Sequence, residues 1–94
     1  MISKVPVDLE KIGKKDVDRQ ALRVAIIAEL DAVSLYEQLA QSVDNQDVKK
    51  VLLDIAKEEK THVGEFQALL LKIDREQAQE LEKGRKEVEE ITGK

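Results

Sequence analysis

The chain has 94 residues, a formal net charge of −4 and no cysteine. That length holds one domain with a small core, for which oligomerisation is a common remedy. The lack of cysteine excludes disulfides, zinc knuckles, thiolate-bound iron and cysteine nucleophiles. It agrees with a reducing interior without establishing one. Aromatic residues make up only 2% and acidic and basic residues are intermixed, so a stacking platform or basic patch for nucleic acid is not expected. The longest apolar runs, Val24–Ala28 and Ala68–Leu71, fall far short of the ~20 residues a bilayer span needs. The first residues lack the layout of a signal peptide, so the expectation is a soluble cytoplasmic protein with no membrane partner. Charged residues reach 38% and Asn45 is the single asparagine, a composition shared with heat-adapted proteins.

Residues 1–15 show no long period and read as an N-terminal arm, in which Val7, Leu9 and Ile12 could pack a short turn onto the body. Residues 16–94 read as a helical domain. Asp16 or Asp18 is the expected N-cap of a first helix that runs to about Ser42. Ser42-Val43-Asp44-Asn45-Gln46 reads as a turn, and Asp44 is the expected cap of a second helix ending near Ile73. Asp74-Arg75-Glu76-Gln77 has capping-box spacing, with Gln77 expected to reach back to the cap. A third helix follows to about Ile91, weakened at Gly84 and stopped by Gly93. Two helices of about 26 residues, each ~39 Å long, joined by a short turn make an antiparallel hairpin. Nothing supports strands. The fold class is therefore all-α, a helical hairpin plus a third C-terminal helix.

On the first helix Leu22, Ile26, Glu29, Val33, Tyr36, Ala40 and Val43 alternate steps of four and three, the spacing of a helix-packing seam. Val48, Leu52, Ile55, Glu59, His62, Phe66, Leu69 and Ile73 do the same on the second. Three members are not apolar: Glu29, Glu59 and His62. A buried unpaired carboxylate costs several kcal/mol, so a sequence seldom keeps one on a core stripe without a partner. Counted from the turn, Glu29 and Glu59 fall at similar heights on facing seams, and Glu59 and His62 at i and i+3 point the same way. Two carboxylates and an imidazole would then converge in a dry slot, and a cation makes that arrangement favourable. The donor set suits iron, manganese or zinc. Glutamate fills 12 of 94 positions, so Glu-x-x-His alone arises by chance about one time in eight. A seam histidine is also often a satisfied core residue. The weight rests on the three seam positions at matching height.

A di-iron carboxylate bundle uses a Glu from each of two helices and a Glu-x-x-His from each of two others. One chain offers half of that set. A two-fold dimer doubles it to four carboxylates and two imidazoles, enough to bridge two divalent ions and to balance their charge. A ferritin-like four-helix arrangement would then be completed by dimerisation.

The segments Glu29-Leu30-Asp31-Ala32-Val33-Ser34-Leu35-Tyr36 and Glu58-Glu59-Lys60-Thr61-His62 resemble the encapsulated ferritins, short ferritin-like chains housed in encapsulin shells. The likeness spans roughly residues 20–92. It is closest to the form fused ahead of a shell protein, on Leu22–Ala32, His62-Val63-Gly64-Glu65-Phe66 and Glu90-Ile91-Thr92-Gly93. The resemblance implies a ferroxidase with a di-iron centre at the interface of a homodimer, dimers assembled into a ring of ten chains, iron storage in an encapsulin nanocompartment, and an encapsulin shell protein as partner. It implies Glu29, Glu59 and His62 as iron ligands and places Tyr36 beside the centre. Some relatives carry an outer acidic pair where this chain has Ala28 and Asp31, which leaves Asp31 as the candidate for an outer metal site. Relatives often have Trp where Leu35 stands. Free-standing members bear a shell-docking tail, whereas this chain ends Ile91-Thr92-Gly93-Lys94. A domain of a fusion and a member without a shell are both open.

Two other readings compete. A rubrerythrin-like peroxidase also uses Glu-x-x-His, although its usual partner domain needs four cysteines. A non-catalytic helical assembly module would use a buried Glu–His network for register. Glu58 and Glu65 flank the motif off the seam and read as solvated, as do Lys83 and Glu87 of the third helix.

Overall fold

The computed structural model describes Asp8 and residues 13–94, which form α1 (Lys14–Ser42), α2 (Gln46–Ile73) and α3 (Arg75–Thr92), with no strand among the described residues. The all-α hairpin with a third helix is as expected. Most of the proposed N-terminal arm lies outside the described residues.

Two helix starts differ from the sequence reading. The cap of α1 is Gly13, whose carbonyl accepts from the Asp16 N–H at 2.9 Å, and it has no side-chain cap. Asp16 instead sits in the first turn, paired with Arg19, where a carboxylate interacts favourably with the helix N-terminus. The cap of α2 is Asn45 rather than Asp44: Asn45 Oδ1 accepts from the Val48 N–H at 3.0 Å. The capping oxygen must reach the third helical N–H, and Asp44 lies one residue too early for that. Its carbonyl accepts from Gln46 Nε2 instead.

Only Asp74 separates α2 from α3. Its N–H donates to Leu70 O at 2.9 Å, closing α2, while its Oδ1 accepts from the Gln77 N–H at 3.0 Å, opening α3. The cap half of the expected box is formed. The return bond from Gln77 has no donor to meet, because α2 already uses the Asp74 N–H. The other carboxylate oxygen, Oδ2, accepts from Arg23 Nη2 of α1 at 2.7 Å. One buried carboxylate thus ties all three helices at the elbow. Gly93 ends α3 in the left-handed region at φ 74°, where a side chain would be strained.

The hairpin core is thin. Among the described residues the buried apolar side chains are Val33, Ala40, Ala56 and Leu70. Val33 and Ala40 belong to the expected α1 seam. On α2, however, Ala56 and Leu70 each fall one residue beyond the expected Ile55 and Leu69, and Val48, Leu69 and Ile73 are 44%, 52% and 51% exposed. The stripe read from the α2 sequence merges two faces. One packs on α1 within the chain. The other is turned outward and stays open. The Cα radius of gyration is 16.5 Å, against ~12 Å for a compact domain of this length. No helix among the described residues is long and apolar enough to cross a membrane.

Candidate metal centre

Glu29 comes from the middle of α1, and Glu59 and His62 from the middle of α2, one helical turn apart. Antiparallel packing about a three-residue loop brings them to one height. Their candidate ligand atoms all lie within 4.8 Å of one another, and all three residues are intermediate in burial. His62 Nδ1 stands 3.3 Å from Glu29 Oε2 across the helix pair and 3.5 Å from Glu59 Oε2 on its own helix. An ionised carboxylate only accepts hydrogen bonds, so Nδ1 donates to Glu29 Oε2 in the tautomer that carries the proton there.

The electrostatics fit a divalent ion. The Glu29 and Glu59 side chains are 22% and 17% exposed, and at a separation of at most 4.8 Å their charges repel in a partly desolvated setting. Hard carboxylate oxygens and a borderline imidazole together suit iron, manganese or zinc. His62 is more open, at 44%, and the three groups sit at the margin of the hairpin rather than in its core. They lie at the edge of the outward α2 face that carries Leu69 and Ile73. A second copy covering that face would enclose the site.

The other sequence candidates stand apart. Tyr36 is intermediate in burial and lies two turns, about 10 Å, along α1 from Glu29. Asp31 is intermediate in burial and is not one of the three clustered residues. Glu58 and Glu65 are exposed, as expected.

The sequence reading missed the Arg23–Asp74 pair. Its signal was Arg23 itself, a lone cation in the run Leu22-Arg23-Val24-Ala25-Ile26-Ile27. The Asp74 carboxyl is held below its ordinary range, first by the hydrogen bond from the Gln77 backbone and then by Arg23. A second exposed cluster has Arg85 gripping Glu82 and Glu89. It lowers Glu82 and raises Arg85, chiefly through the hydrogen bond they share.

A helical hairpin that brings two glutamates and a Glu-x-x-His histidine together at mid-height is a ferritin-like arrangement. The family model described as Rubrerythrin matches residues 20–92, and the chain belongs to that family. Over 87 residues, 93% of its length, it is 53% identical to the ferritin-like–encapsulin shell fusion protein of Pyrococcus furiosus, of which it spans 25%. It is 39% identical over 59 residues, 63% of the chain and 45% of the relative, to the encapsulin nanocompartment cargo protein EncC of Myxococcus xanthus. The crystal structure of the encapsulated ferritin domain from Pyrococcus furiosus superposes with a TM-score of 0.85 at 50% identity, covering 100% of this chain and 98% of that one. The likeness to encapsulated ferritins read from Glu29–Tyr36 and Glu58–His62 is borne out.

Proposed function

We propose that the chain is a ferroxidase whose reaction centre forms when two copies meet about a two-fold axis. Glu29, Glu59 and His62 from each copy then surround two ferrous ions, the substrate. The observation that carries this reading is the half-buried convergence of two carboxylates and an imidazole within 4.8 Å at the edge of an open apolar face. Four carboxylates balance the charge of two divalent ions, and the two-fold axis supplies the bridging geometry that one chain lacks.

The glutamates would hold the ions and keep them adjacent, and His62 would complete each half with a ring nitrogen. Oxidation removes one electron from each of the two ferrous ions, and the electron pair with two protons turns dioxygen into hydrogen peroxide, or hydrogen peroxide into two waters. The more acidic ferric product binds hydroxide and departs. The protein supplies position and charge. Tyr36 would tune the ligands through its hydroxyl, and Asp31 would take part in an outer site on the approach path. The names of the Pyrococcus and Myxococcus relatives support delivery of the product to an encapsulin nanocompartment in the cytoplasm. They also support association with a shell protein. The proposal includes assembly of the dimers into a ring of ten chains. The Rubrerythrin family match favours a second reading, in which peroxide rather than dioxygen is the physiological oxidant.

Anaerobic addition of ferrous iron followed by air tests the proposal. Many turnovers of oxygen consumption and two iron ions per chain pair on a two-fold axis, located by anomalous scattering at the iron edge, are expected. Glu59→Ala and His62→Ala should each lower the oxidation rate at least a hundredfold with helicity retained. Full activity in both variants would refute the assignment. Turnover with peroxide alone, without ferric mineral, would select the peroxidase reading.

A further inference from the structure

We propose that the groove where α3 meets the hairpin binds a small amphiphilic carboxylic acid, an apolar body carrying one carboxylate. The groove is apart from the metal centre, and its geometry uses none of Glu29, Glu59 and His62. Ile26 and Ile27 of α1, Leu70 of α2 and Leu81 of α3 form its apolar walls, around a volume of about 350 Å³. That is the small end of ligand pockets, which are mostly apolar with a few polar groups aimed inward. Leu70 is buried, but Ile27 and Leu81 are 38% and 44% exposed, so apolar surface on α1 and on α3 is left uncovered.

Unused hydrogen-bond donors are the second observation. Arg23, Gln67 and Gln77 also line the groove. Arg23 donates through Nη2 to Asp74 Oδ2. A guanidinium often grips a carboxylate through two parallel bonds. Here Asp74 Oδ1 is committed to the Gln77 N–H, and the second bond is not formed. Arg23 Nε is left as the one buried side-chain polar atom without a hydrogen-bond partner among the described residues. The side-chain amides of Gln67 and Gln77 have no partner among the described residues either.

Charge and hydrogen bonding select the occupant. An apolar helix face laid over the groove would bury these donors unsatisfied, which is unfavourable for each of them. A carboxylate head offers about four acceptor sites and takes a charge-assisted bond from the guanidinium. Arg23 reaches it by a small turn of a side chain that is 42% exposed. The Asp74 charge is also countered by Arg19, so Arg23 is not fully spent on it. The apolar body of the acid then covers Ile27 and Leu81. A bare inorganic anion would leave those walls wet, and a hydrocarbon would leave the donors unpaired. The bound acid touches all three helices and so fixes the direction of α3 against the hairpin.

The test titrates the full chain with octanoate, for an aliphatic source, and with benzoate, for an aromatic one, and follows the Ile and Leu methyl signals by NMR. At least one acid should bind saturably, one per chain, with a Kd below about 1 mM, and shift the signals of Ile26, Ile27, Leu70 and Leu81. The tighter of the two names the source. The matching alcohol and amine, with the same body and no carboxylate, should bind at least tenfold more weakly. Arg23→Lys keeps a cation for Asp74 but has no Nε, and Gln77→Leu keeps the backbone N–H that caps α3. Each should weaken the acid at least tenfold, with helicity by circular dichroism and ferrous oxidation unchanged. No saturable shift with either acid would overturn the proposal, as would equal binding of the alcohol or undiminished binding in both variants. Shifts seen only after dilution has separated the chains would mean that a second copy covers the groove, and would overturn it too. Absence of ferrous oxidation by the unaltered chain tells against the ferroxidase reading and leaves this test intact.

Discussion

Glu59→Gln should reverse the order of stability between metal-free and iron-loaded protein. In each half-site two carboxylates lie within 4.8 Å. With an effective dielectric of about 20, two unit charges at that distance repel by ~3.5 kcal/mol, and in bulk water by ~0.9. Side-chain exposures of 17% and 22% place the pair between these limits. Removing one charge while keeping the shape should therefore stabilise the metal-free chain by about 1 kcal/mol or more, a rise in Tm of at least ~4 °C for a domain this small. Iron acts in the opposite direction. At a ferrous concentration 100-fold above Kd, binding to the folded state adds ~2.7 kcal/mol to the unaltered protein. The variant, short of one carboxylate per half-site, gains almost none of it. Anaerobic thermal melts followed by circular dichroism, with and without ferrous iron, read both effects. The variant should melt higher without iron and lower with it. A variant that melts lower without iron, yet shifts with iron as much as the unaltered chain does, would refute the account of Glu59 as a strained ligand awaiting a cation.

Asn45→Ala should cost about 1 kcal/mol through loss of the α2 cap, whereas Asp44→Ala should stay within ~0.5 kcal/mol, and urea melts of the two distinguish the cap residues. Asp74 is held below its ordinary range, so its contribution is complete above its unfolded pKa of about 4 and is lost as pH falls through the lower folded value. Asp74→Asn should remove that part of the acid dependence of Tm. Both Asp74→Asn and Arg23→Ala should loosen α3, read as faster amide exchange in residues 75–81. Tyr36→Phe should lower the ferrous oxidation rate tenfold or more if its hydroxyl bonds a ligand, and an unchanged rate would make Tyr36 a packing residue only.

Glu29, Glu59 and His62 were legible in the sequence because each breaks an otherwise apolar stripe, and the turn length alone sets them at one height. The three helices were legible for the same reason: period, caps and Gly93 agree. The exact caps were not, since Asp44 and Asn45 are chemically close and only backbone geometry decides which oxygen reaches the Val48 N–H. The α2 seam was half legible. A heptad pattern records every apolar face of a helix, but not which face meets its own chain. The heptad points to Ile55 and Leu69, whereas the residues buried against the chain are their neighbours Ala56 and Leu70. The sequence alone determined helix, hairpin and the cluster of Glu29, Glu59 and His62, all consequences of local periodicity. Tertiary structure decided what depends on distance across the chain: the reach of Arg23 over 51 residues to Asp74, and the face of α2 that stays open. Such contacts follow from how the helices rotate against each other, a quantity no single stripe encodes.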